Sequence, residues 1–513
     1  MKEIGRIAAP GLTAAAVVVL AASLPLPSAA QMNDKWVTIV MAAEPPDLEG
    51  CESSRSFQGS IARQNIVETL VDADATDGTL RPHLATAWEQ RGPSDWRFKL
   101  RQGVTFHDGT PFNADTAKRS IDRTMSKAIV CSDQAHSFTD VSIQVAVVDD
   151  YTLDFKTSKP EPILPMRLAH VAIVGPNTPL DKTSLHPIGT GPYALLRWDA
   201  GQQILLKRFE PYWGEKNKIE GARYIWRDQS SVRAAMVEIG EADLAPNIAA
   251  QEATNPKWDR TYLNAETIYL RIDPTRAPLD DKRVRLALNY AFDREGMRGT
   301  LLPKDILHST QVVTPSTPGH NHELDKRLMP YDPGKARQLL AEAKADGVPV
   351  DKEIILYGNP AYYPNAREVM EAFLSLYKAV GLNVKLINMD PAGFRKMLNK
   401  PFDENRGPAL AQVTHDNNKG DPVFSVIYKY GCDGASSIMC DTALDKEVER
   451  VSGLSGQERL EGWKEIFRVL YDDIVPQVWM YHMVGFARVN PRISFTPNAE
   501  TNVKIPLKDI VLN

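Results

Sequence analysis

The stretch His186–Gly214, HPIGTGPYALLRWDAGQQILLKRFEPYWG, constrains this chain more than any other. After a Gly/Pro turn, Tyr193–Trp198 and Gln203–Phe209 read as two strands, and Asp199-Ala-Gly201-Gln202 between them has the chemistry of a hairpin loop. The segment closes on the aromatic pair Tyr212-Trp213 before Gly214. Gly189-Thr-Gly191-Pro-Tyr-Ala194 formally fits the G-x-G-x-x-A of a dinucleotide site. That motif needs a strand before it and a helix after it. Here His186-Pro187 precedes it and a strand follows, so no helix N-terminus is available to hold a pyrophosphate. The glycines therefore read as a structural turn.

At 513 residues the chain exceeds what one hydrophobic core supports, so two or more lobes are expected. Its formal charge of −5 and lack of a basic block argue against nucleic acid and anionic membranes as partners. Lys2 and Arg6 precede an apolar run from Gly11 to Leu24, and Ser28-Ala29-Ala30 follows with small residues. This is the pattern of a secretory signal peptide (residues 1–30), cleaved after Ala30, which places the mature protein in the periplasm. The run is shorter than the roughly 20 residues of a spanning helix, and Pro25 and Pro27 break it. The first cysteine is Cys51, too far along for a lipid anchor at the cleavage point. In an oxidising compartment, four cysteines suggest disulfides. Cys432 and Cys440 flank the short loop DGASSIM, across which a local bridge is geometrically easy. Metal binding is the alternative, although none of the four forms a C-x-x-C pair.

Further along, Lys35–Ala43 reads as a strand, and Ser53–Gln64 leads into a helix through Asn65–Leu70. RPHLATAWE is followed by WRFKLRQGVTFHDGTPFNADTAKRS, a half-buried strand, a turn, and a helix capped by Asn113 or Asp115. Ser142–Ser158 reads as a hairpin pivoting on Asp149-Asp150. In Glu266–Arg294 a strand runs into a Pro-rich turn, and an amphipathic helix then sets Val284, Leu288 and Ala291 on one face. The second half alternates helix and strand. Asp332-Pro333 opens one helix, Asn365–Val380 forms another, and a capping box at Ser455-Gly-Gln-Glu458 opens a third. Strands are expected at Ile354–Tyr357, Leu382–Met389 and Pro476–Met483. Such alternation points to α/β architecture.

These blocks, spread from about residue 36 to residue 488, resemble the periplasmic solute-binding proteins of ABC importers, in the large peptide/nickel-binding family (family 5 of the extracellular solute-binding proteins). The resemblance implies an α/β, two-lobe, periplasmic-binding-protein-like fold of class II, the large peptide-binding type with an extra subdomain. Lobe I would span residues 31–270, with the subdomain at about 60–187, and would be completed by 488–513. Lobe II would be 271–487. A bridge at Cys432–Cys440 is also implied, which leaves Cys51 with Cys131. The implied activity is capture of a peptide or peptide-like solute between the lobes and its delivery to ABC permease subunits with their ATPases. The protein would be a monomer without a cofactor and without catalysis. A nickel chelate or an opine-like compound is the alternative ligand.

In peptide-binding relatives an aspartate before an N-x-D-P segment holds the ligand's ammonium group. The matching run here is His415-Asp416-Asn417-Asn418-Lys419-Gly420-Asp421-Pro422, so Asp416, with Asn417 and His415 beside it, is the candidate. Asp421 reads as a helix cap. Dipeptide-binding relatives clamp the ligand carboxylate with an arginine just before a Tyr-x-Pro-Asn run. Before Tyr362-Tyr363-Pro364-Asn365 that place falls near Asn359-Pro360 and holds no arginine, which argues against a dipeptide. Arg55 is the candidate substitute. Tyr362, Tyr363, Trp479 and Tyr481 are candidate aromatic walls of the cleft. His320-Asn-His322 lies in a Pro/Gly-rich loop, shows no third ligand nearby, and reads as solvated. An exported hydrolase is the rival class. The nearest nucleophile-elbow string, Gly453-Leu-Ser455-Gly456-Gln457, lacks the final glycine, and no H-E-x-x-H occurs.

Overall fold

Two unusually long strands, Asp259–Ile272 and Gln477–Val489, lie antiparallel at the centre of the protein. The computed structural model describes residues 33–513 apart from 54–55, 75–77, 130 and 418. At one end of the pair, Leu244–Ala245 joins the second long strand and continues the sheet through Trp36–Met41, Gly221–Trp226, Gln203–Arg208 and Tyr193–Asp199. At the other end, Ala409–Asp416 pairs with the first long strand and leads to Ile354–Gly358 and Val384–Asn388. Residues 270 and 487, the ends of the lobes that the resemblance implies, fall within these two strands.

Each end carries its own core. Val37, Ile39, Tyr193 and Tyr224 anchor the first. The second end is covered on both faces, by Phe373 and Met370 on one and by Trp463 and Phe467 on the other. Its middle strand, Ile354–Gly358, accordingly reads as a continuous apolar run, IILYG. A separate antiparallel sheet, ordered Ala85–Gly92, Asp95–Leu100, Thr152–Thr157, Ile143–Asp149, packs with helix Ala114–Met125 around Phe98 and Phe155. Asn113 caps that helix in a reciprocal box with Thr116.

The His186–Gly214 segment folds as its turn chemistry dictates, a hairpin with Gly201 at φ +74°. Gly189 and Gly191 serve close backbone approach: a Cβ on either would lie 1.9 Å from the Ile66 carbonyl oxygen or 2.3 Å from that of Asn65. The segment converges on one buried carboxylate, Glu68. Thr190 Oγ1 (2.8 Å), Tyr212 OH (2.8 Å) and Trp213 Nε1 (3.0 Å) all donate to it, and His83 Nε2 lies 3.0 Å away. Burial by itself would raise the Glu68 pKa, but His83 and these hydrogen bonds hold it below the usual carboxylate range.

Four expectations are corrected. The helix expected at 65–70 instead occupies Ser56–Ala62. Gln64 at φ +62° ends the turn, and the Asn65 amide is committed to the carbonyls of Ile61 and Ile505. Ser455 precedes its helix without making a side-chain cap bond. Cys432 and Cys440 form a disulfide (S–S 2.04 Å), but Cys51 and Cys131 are not joined. They meet as buried thiols, with Cys131 Sγ donating to the Cys51 carbonyl at 3.2 Å. His320, expected in solvent, is 2% exposed. Residues 1–30, with the proposed signal peptide, and Arg55 lie outside the described residues.

Glu68→Ala is expected to destabilise the protein by about 3–5 kcal/mol, because it strands a buried histidine, the buried Thr190 hydroxyl and two half-buried donors together. Tyr212→Phe, which removes one bond, is expected to cost about 1–2 kcal/mol. Urea denaturation of the three proteins checks both values.

Candidate functional site

A cavity of about 1010 Å³ opens where the two long strands leave one lobe and enter the other. Met41, Asn247, Tyr262 and Thr501 line one side of it, and Leu301 and Tyr362 line the opposite side. The floor comes from an irregularity in the central pair. Leu263 pairs with Val484 and Thr267 with His482, so Asn264, Ala265 and Glu266 together face Met483. Such a bulge breaks the ladder and re-aims side chains. Asn264 Oδ1 accepts the Glu266 amide at 2.9 Å, the Ala265 carbonyl accepts the Asn417 amide at 2.7 Å, and Asn264 and Glu266 line the cavity.

The Glu266 carboxylate has no hydrogen-bond partner among the described residues. Burial, followed by the charge of Asp416 directly across the strand pair, pushes its pKa up to about 7. The other charged groups of the cleft are committed or peripheral. Arg233 donates to the carbonyls of Asn247 (2.9 Å), Arg227 (2.7 Å) and Asp228 (2.8 Å). Asp259 is paired with Arg488 at 2.7 Å. Lys304 and Asp305 are exposed at the rim. Asn502 lines the cleft with a buried Oδ1 that has no partner among the described residues. Inside, the Glu266 carboxylate and Asn502 Oδ1 are thus acceptors without a partner among the described residues.

The structure separates the residues that the sequence singled out. Tyr362 and Tyr363 both line the cleft, the former edge-on to Phe394 and the latter accepting from Gln412 Nε2 at 2.8 Å. Trp479 does not reach it: it is 1% exposed and packs on Tyr471 in the core, because its position on the central strand points into the helical layer. Tyr481 is likewise buried, donating to the Arg294 carbonyl at 2.6 Å. His415 is buried 2.7 Å from Ser425 Oγ. Asn417 turns inward to donate to Thr267 Oγ1 at 3.0 Å. Asp416 sits exposed at the end of its strand and bears on the cleft through its field on Glu266. Asp421 caps the next helix through the Val423 amide and pairs with Arg459. Asn359, where a clamp arginine was sought, is buried with its amide on Gln412, and Arg367 is exposed. Glu266 was missed. Its only signal was an acid at the head of the strand-like run TIYLRI.

The loop after Asp416 bridges the lobes. The Lys419 carbonyl lies 3.2 Å from His170 Nε2, Gly420 abuts Met166, and Phe424 packs against His170 and under Arg167. His170 is held neutral, its pKa well below the ordinary value chiefly through burial.

A family model described as bacterial extracellular solute-binding proteins, family 5 (middle), matches residues 79–436. The dipeptide-binding protein of Escherichia coli (strain K12) is 28% identical over 380 residues, covering 68% of this chain and 70% of that protein. Heme-binding protein A of Haemophilus influenzae is 26% identical over 474 residues, 84% of each. The solved structure of HbpA2 from Haemophilus parasuis superposes with a TM-score of 0.80 at 20% identity, covering 93% of this chain and 100% of that one, which shows the fold.

Glu266 supplies a test in the ligand-free protein. A carboxyl whose folded pKa is raised from 4.5 to about 7 favours the protonated fold, so its contribution is lost as pH climbs through that interval. Glu266→Gln is therefore expected to melt like the parent at acid pH and progressively above it as pH rises from 4.5 to about 7, with a constant gap beyond. Parallel melting curves across pH would refute the assignment.

Proposed function

The chain belongs to the bacterial extracellular solute-binding proteins of family 5, whose model matches residues 79–436, and on that premise we propose that its interlobe cleft captures a small peptide or peptide-like solute through an amine. Members of this family are the binding components of ABC importers and act outside the cytoplasm without catalysis. Among the described residues no helix is long and apolar enough to cross a membrane. The protein is exported by the signal peptide of residues 1–30, works in the periplasm as a monomer, and presents its loaded form to a permease with its ATPases.

One observation carries the choice of ligand chemistry: Glu266 is an uncommitted carboxyl in a cavity where Arg233 is spent on backbone carbonyls and Asp259 is paired with Arg488. A protonated amine brought beside it would recover the charge-assisted hydrogen bond that the bare cleft lacks. The neighbouring Asp416 charge, which disfavours ionisation of Glu266 in the unliganded protein, then adds to the attraction. Asn502 Oδ1 is a second acceptor for a donor-bearing ligand. The described cleft holds no interior cation free to clamp a carboxylate, which favours an amine-led mode over a dipeptide clamped at both ends. Tyr362 and Tyr363 supply flat walls for the apolar part of the solute. Closure follows from the two-strand crossing: a ligand that touches both lobes stabilises the form in which both touch it.

Binding would be measured by calorimetry with whatever solute native mass spectrometry finds on protein taken from its own periplasm. For an amine-bearing solute, Glu266→Gln is expected to cost about 1.5–3 kcal/mol, the range for a hydrogen bond to a charged group. Affinity of the parent should rise as pH passes through about 7, where Glu266 ionises, and the variant should lose that rise. Groups bearing on the profile are Asp416 on the adjoining strand and Tyr262 on the same strand, whose hydroxyl burial keeps protonated. Unchanged affinity in the variant would remove Glu266 from the site, and a metal chelate in the spectrum would favour the alternative ligand class.

A further inference from the structure

Away from the cleft, three side chains of the loop that packs on the second long strand meet at one point. His320 Nε2 lies 2.9 Å from Asp325 Oδ2, and His322 Nδ1 lies 3.6 Å from the same oxygen. The three donor atoms all fall within 4.8 Å of one another. Metal–nitrogen and metal–oxygen bonds are about 2.0–2.2 Å, so these separations would subtend about 90° and about 120° at a shared ion. Both angles are ordinary for a zinc-type centre.

The hydrogen bonds around His320 hold its ring in place. Gln311 Oε1 accepts the Asn321 amide at 2.9 Å and its Nε2 donates to the Asn321 carbonyl at 3.1 Å, so the orientation of that amide is set. The same Nε2 stands 3.1 Å from His320 Nε2. On the far side of the ring, Nδ1 lies 3.3 Å from the Val313 carbonyl. A carboxylate oxygen of Asp325 stands 2.9 Å from His320 Nε2. Such a contact is satisfied by a cation shared between the two groups, a proton on the imidazole or a metal ion in its place. Asp325 is itself fixed by a second bond, with Thr310 Oγ1 donating to Oδ1 at 2.8 Å. A ligand oriented by an outer partner in this way is characteristic of metal sites.

The surroundings agree. Leu307–His308 pairs with His482 and Tyr481, and Ser309 donates to the Met480 carbonyl, so the loop is tied to a strand of the central sheet. Asn321 caps the short helix His322–Asp325 and donates to the Lys464 carbonyl at 3.0 Å, which holds the two histidines in register. His482 is fully buried with its ring 6.1 Å from that of His320. The His322 side chain is 65% exposed, which leaves a face open to solvent for entry and for further ligands.

We propose that His320, His322 and Asp325 form a binding site for a divalent transition-metal ion of the zinc class, separate from the solute cleft. Two imidazoles and one carboxylate suit zinc, nickel or copper over magnesium or calcium. An ion there ties the loop to itself beside the strand that crosses between the lobes, and His482 Nδ1, 2.9 Å from Thr267 Oγ1, lies between the site and the residue next to Glu266.

The test uses the full mature protein without a histidine tag, stripped with a chelator and titrated with zinc by calorimetry. One equivalent of zinc per chain is expected, with a rise in melting temperature. His322→Ala and Asp325→Asn change exposed side chains and should fold normally. Each should weaken zinc binding by at least about 10–100-fold, the loss seen when even an outer partner of a metal ligand is removed. Failure to take up stoichiometric zinc, or uptake unchanged in both variants, would overturn the proposal. Solute binding at the cleft is read in the same samples and should persist in both variants, so the two assignments stand or fall separately.

Discussion

Everything that makes this molecule a receptor depends on the antiparallel pairing of Asp259–Ile272 with Gln477–Val489. The two strands belong to both lobes at once. Their backbone ladder satisfies each strand's polar groups while they pass through two different hydrophobic environments, the one around Tyr193 and Tyr224 and the one around Phe373. A connection made only of loops would leave the lobes independent, and a single rigid core would leave no cleft. Two strands joined by hydrogen bonds, with a bulge in the middle, allow bending at one place and resist it elsewhere.

That bulge is also where structure turns into chemistry. Regular pairing would have alternated Glu266 strictly with its neighbours. By opposing three residues to one, the irregular ladder brings an acid to the floor of a large cavity and leaves it without a hydrogen-bond partner among the described residues. The next strand then sets Asp416 opposite. Burial, with the Asp416 charge on the adjoining strand adding to it, pushes the Glu266 pKa up to about 7. The loop beyond Asp416 serves a different end: Lys419, Gly420 and Phe424 touch His170, Met166 and Arg167 across the gap between lobes. One segment thus couples the electrostatics of the floor to the contact between its walls.

Local chemistry was legible wherever it was self-sufficient. The hairpin after Pro192, the Asn113 and Asp332 caps, and the apolar stripe of Ala366–Ala379 follow from residues a few places apart. Legibility failed where a distant group competes. Asn65–Leu70 reads as a helix along the chain, but the Asn65 side chain is claimed by the carbonyl of Ile505 and by the Leu507 amide, more than four hundred residues away. Trp479 looked like a cleft wall until the register of its strand turned it into the helical layer. His320 looked solvated because its partners, Gln311 and Asp325, are gathered by a loop whose path no periodicity reveals.

By itself the sequence determined the class of scaffold: an α/β chain too long for one core, crossed by two strands and carrying turn, cap and aromatic signatures along most of its length. Those features rest on steric preference and short-range hydrogen bonding, which act between near neighbours. Only the tertiary structure decided which of the acidic groups lines the cavity, that Thr190, Tyr212 and Trp213 are all spent on Glu68, and that two histidines and an aspartate converge on one point. Those outcomes depend on strand register and on desolvation. Both are properties of the assembled sheet, fixed by residues hundreds of positions apart.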